Sequence, residues 1–165
     1  MKKFACLVIF LIVYGNVGAQ QKLCDGVYLV DRLSPISRLP GRIHTSLIKF
    51  NPLFLEDDPE AFSPISVFTD EFVPFEFSMA PITKTNRYQN KVLFLKLTES
   101  ASEKLKIFTA KNIKRYAVII VNGEAITVHK IKEPIISGLV QIACDTENIY
   151  EQLHALLQNN VKSKI

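Results

Sequence analysis

Residues 92–142 read VLFLKLTES ASEKLKIFTA KNIKRYAVII VNGEAITVHK IKEPIISGLV QI. This stretch decides the fold. Val92 to Leu97 is nearly all apolar, as expected of a strand covered on both faces. Thr98-Glu99-Ser100 then carries helix-starting chemistry. Ser100 and Glu103 have the spacing of a capping box, and Thr98 is an alternative N-cap. Ala101, Leu105 and Phe108 follow at i, i+4 and i+7, on one helical face. Tyr116 to Val121 predicts a strand and Glu124 to Ile131 its return. Asn122-Gly123 between them suits a type I′ hairpin, because both residues accept positive φ. The return strand alternates less cleanly at Ala125, Ile126, Val128 and Ile131. Glu133-Pro134 to Ser137-Gly138 reads as a second turn. Leu139 to Ala143 is a last short strand.

Beyond this stretch, Asp145 or Thr146 can cap a final helix. Ile149, Leu153, Leu156 and Leu157 make its apolar stripe, which reads as a core-facing side. The chain is polar from Asn159, with a frayed tail at 161–165. Strand, helix, three strands and helix predict an α+β two-layer sandwich. Its sheet is mostly antiparallel, with helices on one face, ferredoxin-like in style.

Upstream, residues 20–90 read as an irregular segment with short strands. Val27 to Val30 is one candidate and Ile43 to Phe50 another. Pro35, Pro40, Pro52, Pro59 and Pro64 exclude a helix of normal length between them. Glu56 to Glu60 is acidic but lacks the alternating oxygen ligands and turn glycine of a calcium loop, so it reads as a solvated turn. Residues 65–68 and 71–79 are further strand candidates, with Pro74 marking an edge or bulge. Phe72, Phe75 and Phe77 lack interleaved basic residues, so they read as packing and not as a platform for bases. Lys84 to Asn90 reads as a loop.

The start is different in kind. Lys2 and Lys3 precede the apolar run Phe4 to Tyr14, and Val17-Gly18-Ala19 supplies small residues. This is the pattern of a secretory signal peptide at 1–19, cleaved between Ala19 and Gln20. The run is about half the roughly 20 apolar residues that a spanning helix needs. Removing Lys2 and Lys3 from the 20 basic residues leaves 18 against 16 acids, a net charge of +2. With no Lys/Arg stripe in the sequence, nucleic acid is not an expected partner. Cleavage also removes Cys6 and leaves Cys24 and Cys144. In an exported protein two cysteines most often form one disulfide, worth about 4–5 kcal/mol in the chain-entropy model. Two free thiols are the alternative. No nucleophile–base pair has useful spacing. His129 lies alone in its strand, and His44 and His154 have no spacing relation to it. A hydrolase would need Asp70, His129 or a reduced Cys144 to converge with partners that the sequence does not reveal. No cofactor or metal site is expected.

An ordered series within 92–144 resembles the head subdomain of the first periplasmic domain of SecD and SecDF, export-assisting subunits of the bacterial Sec translocase. Its parts are Leu97-Thr98, Thr109, the strand Ala117 to Val121 ending in Asn122-Gly123, Ile131, Pro134-Ile135, Gly138 and Gln141-Ile142. Upstream, Pro64-Ile65-Ser66-Val67 with Asp70 and Phe72 is similar to the segment that precedes this subdomain. Asn122 replaces the family's Asp, His129 its usual Pro and Cys144 its usual Gly. The last change fits a lineage-specific disulfide with Cys24. The six transmembrane helices of SecD have no counterpart here. The resemblance implies a head-like domain at 91–160, in a stand-alone exported protein of a Gram-negative envelope. It also implies a binding role, with unfolded or extended polypeptide or envelope proteins as partners. The lack of a nucleophile–base pair makes the expected role non-enzymatic, and the signal-like start makes the expected localisation periplasmic or secreted. A structural or self-assembling envelope protein is the main alternative.

Overall fold

The computed structural model describes residues 23–33, 44–51, 64–85, 91–143 and 147–162. In chain order the elements are β1 (Gly26–Arg32), β2 (Thr45–Ile48), β3 (Ile65–Pro74), β4 (Ile82–Thr85) and β5 (Lys91–Lys96). They continue with α1 (Glu99–Lys111), β6 (Tyr116–Val121), β7 (Glu124–Lys130), β8 (Leu139–Ala143) and α2 (Glu147–Lys162). The class is α+β and the sheet pairing is antiparallel, as the sequence implies. The strands form two sheets, however, where one was expected: β2-β3-β1-β6-β7 and β4-β5-β8. The strand before α1 therefore does not pair with the strand after it. β1 comes from the supposedly irregular N-terminal stretch, and it takes the place beside β6.

The five-stranded sheet curls until its ends meet. Four antiparallel steps leave β2 and β7 pointing the same way, so contact between them has to be parallel. It is: Phe50 bridges Ala125 in parallel just past the end of β2. The Ala125 N–H donates to the Lys49 carbonyl and the Asn51 N–H to the Ala125 carbonyl, both at 2.9 Å. Curling gives the sheet an inside. Tyr28, Val30, Ile48, Phe50, Ile65, Val67, Val118, Ile120 and Ala125 fill it. Their neighbours Val27, Leu29, Val73, Ala117, Ile119 and Val121 face the other way, into a second core. This double burial explains the unbroken apolar run of β6.

A bulge in β7 reconciles the two cores. Thr127 opposes Ile119 and Ala125 opposes Ile120, leaving Ile126 as the extra residue. Consecutive residues Ala125 and Ile126 are thereby buried in different cores. A bulge also disturbs alternation, which accounts for the poor pattern in the sequence. β3 likewise joins the expected strand at 65–68 to the first part of the one expected at 71–79 as one irregular strand, which ends at Pro74.

The second core is shared with the small sheet and both helices. Leu93, Leu95 and Leu97 meet Val140 and Ile142 there, with Ala101, Leu105 and Phe108 of α1 and Tyr150, Leu153 and Leu157 of α2. Thr98, the alternative cap, is the one used: its Oγ1 accepts from the Ala101 N–H. Asn122 and Gly123 both have positive φ, and the Asn122 N–H donates to Asp25 Oδ1 at 2.7 Å. The hairpin is thus tied to the start of β1. Gly138 opens β8 at φ +61, with Ser102 of α1 so close that a Cβ would lie 1.9 Å from its Oγ.

Candidate functional site

Where β7 of the curled sheet passes β8 of the small one, the two sheets part. The gap is a cleft of about 340 Å³. Its floor is apolar, made by Val27, Ala117 and Ile119 of the curled sheet and Leu105 of α1. Leu139 to Gln141 forms one wall and His129 to Lys132 the other. The loop that joins β7 to β8 is held on α1, where the Ile135 N–H donates to Thr109 Oγ1 at 2.9 Å. Thr109 Oγ1 in turn donates to the Leu105 carbonyl at 2.8 Å, so this buried hydroxyl is satisfied both ways.

Both walls carry backbone that their own ladders leave unused. The Leu97 N–H donates to the Gly138 carbonyl at 3.0 Å, which makes those two a hydrogen-bonded pair of the β5–β8 ladder. Hydrogen-bonded and non-bonded pairs alternate along an antiparallel ladder. Val140 and Ile142 therefore turn their polar groups to β5, while Gln141 turns its N–H and C=O away. The same count from Ile131, whose N–H donates to the Arg115 carbonyl, turns Val128 and Lys130 away from β6. Among the described residues, no other strand pairs with the outer side of β8. Open backbone at Gln141, beside an apolar trough, is chemistry that takes up an extended chain, although the neighbouring Leu139 N–H is already taken by Ser137 Oγ at 3.2 Å.

The residues singled out in the sequence are scattered. His129 lies on the cleft wall with its Nε2 2.9 Å from Thr127 Oγ1. Its ring is partly desolvated, which lowers its pKa, although the residue as a whole is exposed. Asp70 is exposed on β3. His44 sits at positive φ with its carbonyl accepting from Thr69, and His154 stacks on Tyr150. Cys24 is exposed before β1, while Cys144 lies outside the described residues, as do Ala19 and Gln20. Among the described residues, no three His, Cys, Asp or Glu side chains gather where they could hold a metal ion. Nor is any helix there long and apolar enough to cross a membrane. The cleft residues Ala117, Ile119 and Leu139 carry no mark in the sequence beyond apolarity.

The chain is similar to two solved structures. One is a membrane component SecDF that enhances protein export, at 18% identity and TM-score 0.43, covering 50% of this chain and 36% of that one. The other is SecDF in a super-membrane-facing form, at 16% identity and TM-score 0.48, covering 84% of this chain and 18% of that one. This is the family whose motif series residues 92–144 resemble. The chain spans little more than a third of the first structure's length and less than a fifth of the second's. No family model matches the sequence, and no curated protein matches it.

Proposed function

We propose that the chain is an exported, non-enzymatic module that holds extended polypeptide in a protein-export setting. The observation that carries this reading is the cleft, with Gln141 presenting open backbone beside an apolar floor. Strand addition supplies affinity through main-chain hydrogen bonds, and a trough for alternate side chains supplies preference. The series shared with the SecD head supports unfolded chains as the ligand class. The signal-like start supports the periplasm or the exterior as the place. In that compartment Cys24 and Cys144 form a disulfide, and thiol titration of the denatured, unreduced mature chain should then find no reactive thiol.

The test is binding of a labelled, extended apolar peptide, read by fluorescence anisotropy. Gln141→Pro removes an N–H that β5 does not use, so an edge strand should tolerate it. Wild type should bind and the folded Gln141→Pro variant should lose at least about tenfold in affinity, one to two backbone hydrogen bonds' worth. Equal binding by both would refute strand addition at β8. A second reading, self-assembly, is favoured by β4, whose four residues are all exposed beside the exposed Met79. Sedimentation as a strict monomer would dismiss it.

A further inference from the structure

Five cations sit together where α1 ends and the β6–β7 hairpin opens. Lys111 closes α1, Lys114 and Arg115 occupy the turn, and Lys130 and Lys132 flank Ile131 on the facing strand. All five are exposed. The turn is fixed to its neighbour: the Lys114 N–H donates to the Ile131 carbonyl at 2.8 Å, and the Ile131 N–H to the Arg115 carbonyl at 2.9 Å. Lys114 adopts φ +70, a conformation that costs a non-glycine residue about 1 kcal/mol or more. Buried Asn112 holds the turn from below, its Nδ2 donating to the Phe108 carbonyl and its Oδ1 accepting from Arg115 Nη1.

The helix dipole accounts for a cation at the end of α1. It does not account for Lys130 and Lys132 on another strand. Glu133 adjoins the cluster in sequence, and Asp70 and Glu71 follow Phe68, whose ring Arg115 covers at 5.5 Å. Among the described residues, none of these acids forms an ion pair with any of the five cations. Set among the cations are two exposed apolar side chains, Ile113 at 42% and Tyr116 at 39%. Lys130 Nζ lies 5.9 Å from the centre of the Tyr116 ring. A chain with 20 basic and 16 acidic residues thus concentrates a quarter of its basic side chains around a tyrosine and an isoleucine.

We propose that this corner docks on an anionic bilayer surface. Lys111, Lys114, Arg115, Lys130 and Lys132 meet the lipid phosphates, and Tyr116 and Ile113 enter the headgroup layer. Charge complementarity picks the occupant. Tyrosine at the interface and cations at the headgroups form the usual composition of a membrane-contacting surface. A protein or nucleic-acid polyanion would use the charges and leave Ile113 and Tyr116 in water. The inference does not depend on polypeptide binding, although Lys130 and Lys132 also edge the cleft and would bring its mouth to the bilayer.

The experiment is co-sedimentation of the mature protein with vesicles of equal parts phosphatidylglycerol and phosphatidylcholine, beside vesicles of phosphatidylcholine alone. The variant is Lys111→Gln with Lys114→Asn, which lies outside the cleft and keeps a residue that tolerates positive φ. Each cation near an anionic surface is worth about fivefold, so the pair should weaken binding roughly 30-fold. Lys104→Gln with Lys106→Gln removes the same charge elsewhere on α1 and should leave binding unchanged. Tyr116→Ser should weaken it further at high salt, where charge is screened. Equal binding to the neutral vesicles would overturn the proposal, as would equal loss in both lysine pairs. So would competition by polyglutamate or inorganic phosphate at matched ionic strength, which would mark a general anion site. Each variant's circular dichroism must match wild type.

Discussion

The two sheets handle their edges differently. The curled sheet is buried on both faces and joins its outermost strands through Phe50 and Ala125. The small sheet buries Leu93, Leu95, Val140 and Ile142 on one face, leaves Lys96, Gln141 and Ala143 exposed on the other and, among the described residues, keeps β4 and β8 as edges. Closure occupies β7 where Ala125 meets Phe50 and leaves only its far end, from Val128 to Lys130, unpaired, whereas an open edge keeps its pairing sites along its length. The interior of the curled sheet is therefore scaffold, and contacts with other molecules belong to the small sheet's margins, to the cleft between the two and to the exposed open end of the β6–β7 hairpin.

The sharpest way to break this comparison is to cut the same side chain from each sheet. Ile120, inside the curl, is fully buried, whereas Ile82 on β4 is exposed. Ile120→Ala should cost about 2–5 kcal/mol in urea unfolding. Ile82→Ala should stay within about 0.5 kcal/mol. Equal losses would abolish the distinction between scaffold and margin. Gly138 asks whether the margin is soft throughout. Gly138→Ala sets a side chain at positive φ against Ser102 and should cost about 2 kcal/mol, of which Ser102→Gly in the same chain should restore part.

Tyr28 probes how the curl is sealed at its end. Its ring stacks on Phe72 at 4.7 Å, its hydroxyl donates to the Cys24 carbonyl at 2.8 Å, and burial pushes the phenol pKa well up. Tyr28→Phe keeps the stack and loses one hydrogen bond, so about 1 kcal/mol should disappear from the unfolding free energy. The smallest effect belongs to His129. Its folded pKa lies below the unfolded value of about 6.5, so the unfolded chain binds more protons once pH falls beneath that value. Stability should be fully present above pH 6.5 and decline slightly as pH drops below it. The His129→Gln protein should lack that decline when unfolding curves are compared across the range.

Local structure was legible and pairing was not. Asn122-Gly123 announces its hairpin because only residues that accept positive φ can make that turn. Thr98, Ala101, Leu105 and Phe108 announce α1 through the helical period. Nothing local in Val92 to Leu97 or in Tyr116 to Val121 says that they avoid each other. That choice is made by Gly26 to Leu29, some ninety residues earlier, which pair with Ala117 to Ile120. The cleft was invisible for the same reason. Ala117, Ile119 and Leu139 read as packing, and they do pack; the opening arises only because β7 and β8 belong to separate sheets. The cation cluster was also missed, since Lys111 to Arg115 and Lys130 to Lys132 form no stripe along the sequence and meet only through the hairpin.

The place of β1 has a consequence for the order of events during synthesis. Among the described residues β1 is the first strand to be made, and it is the central one of its sheet, with β3 on one side and β6 on the other. Its first partner begins at Ile65 and its second at Tyr116. Ribosomes add about 5–20 residues per second, so β1 waits several seconds before its second flank exists. Until then the curl lacks β6 and β7, and the second core lacks Ala117, Ile119 and Val121. β1, β2 and β3 can pair among themselves before that, but neither the curl nor the second core can close until β6 and β7 have been made.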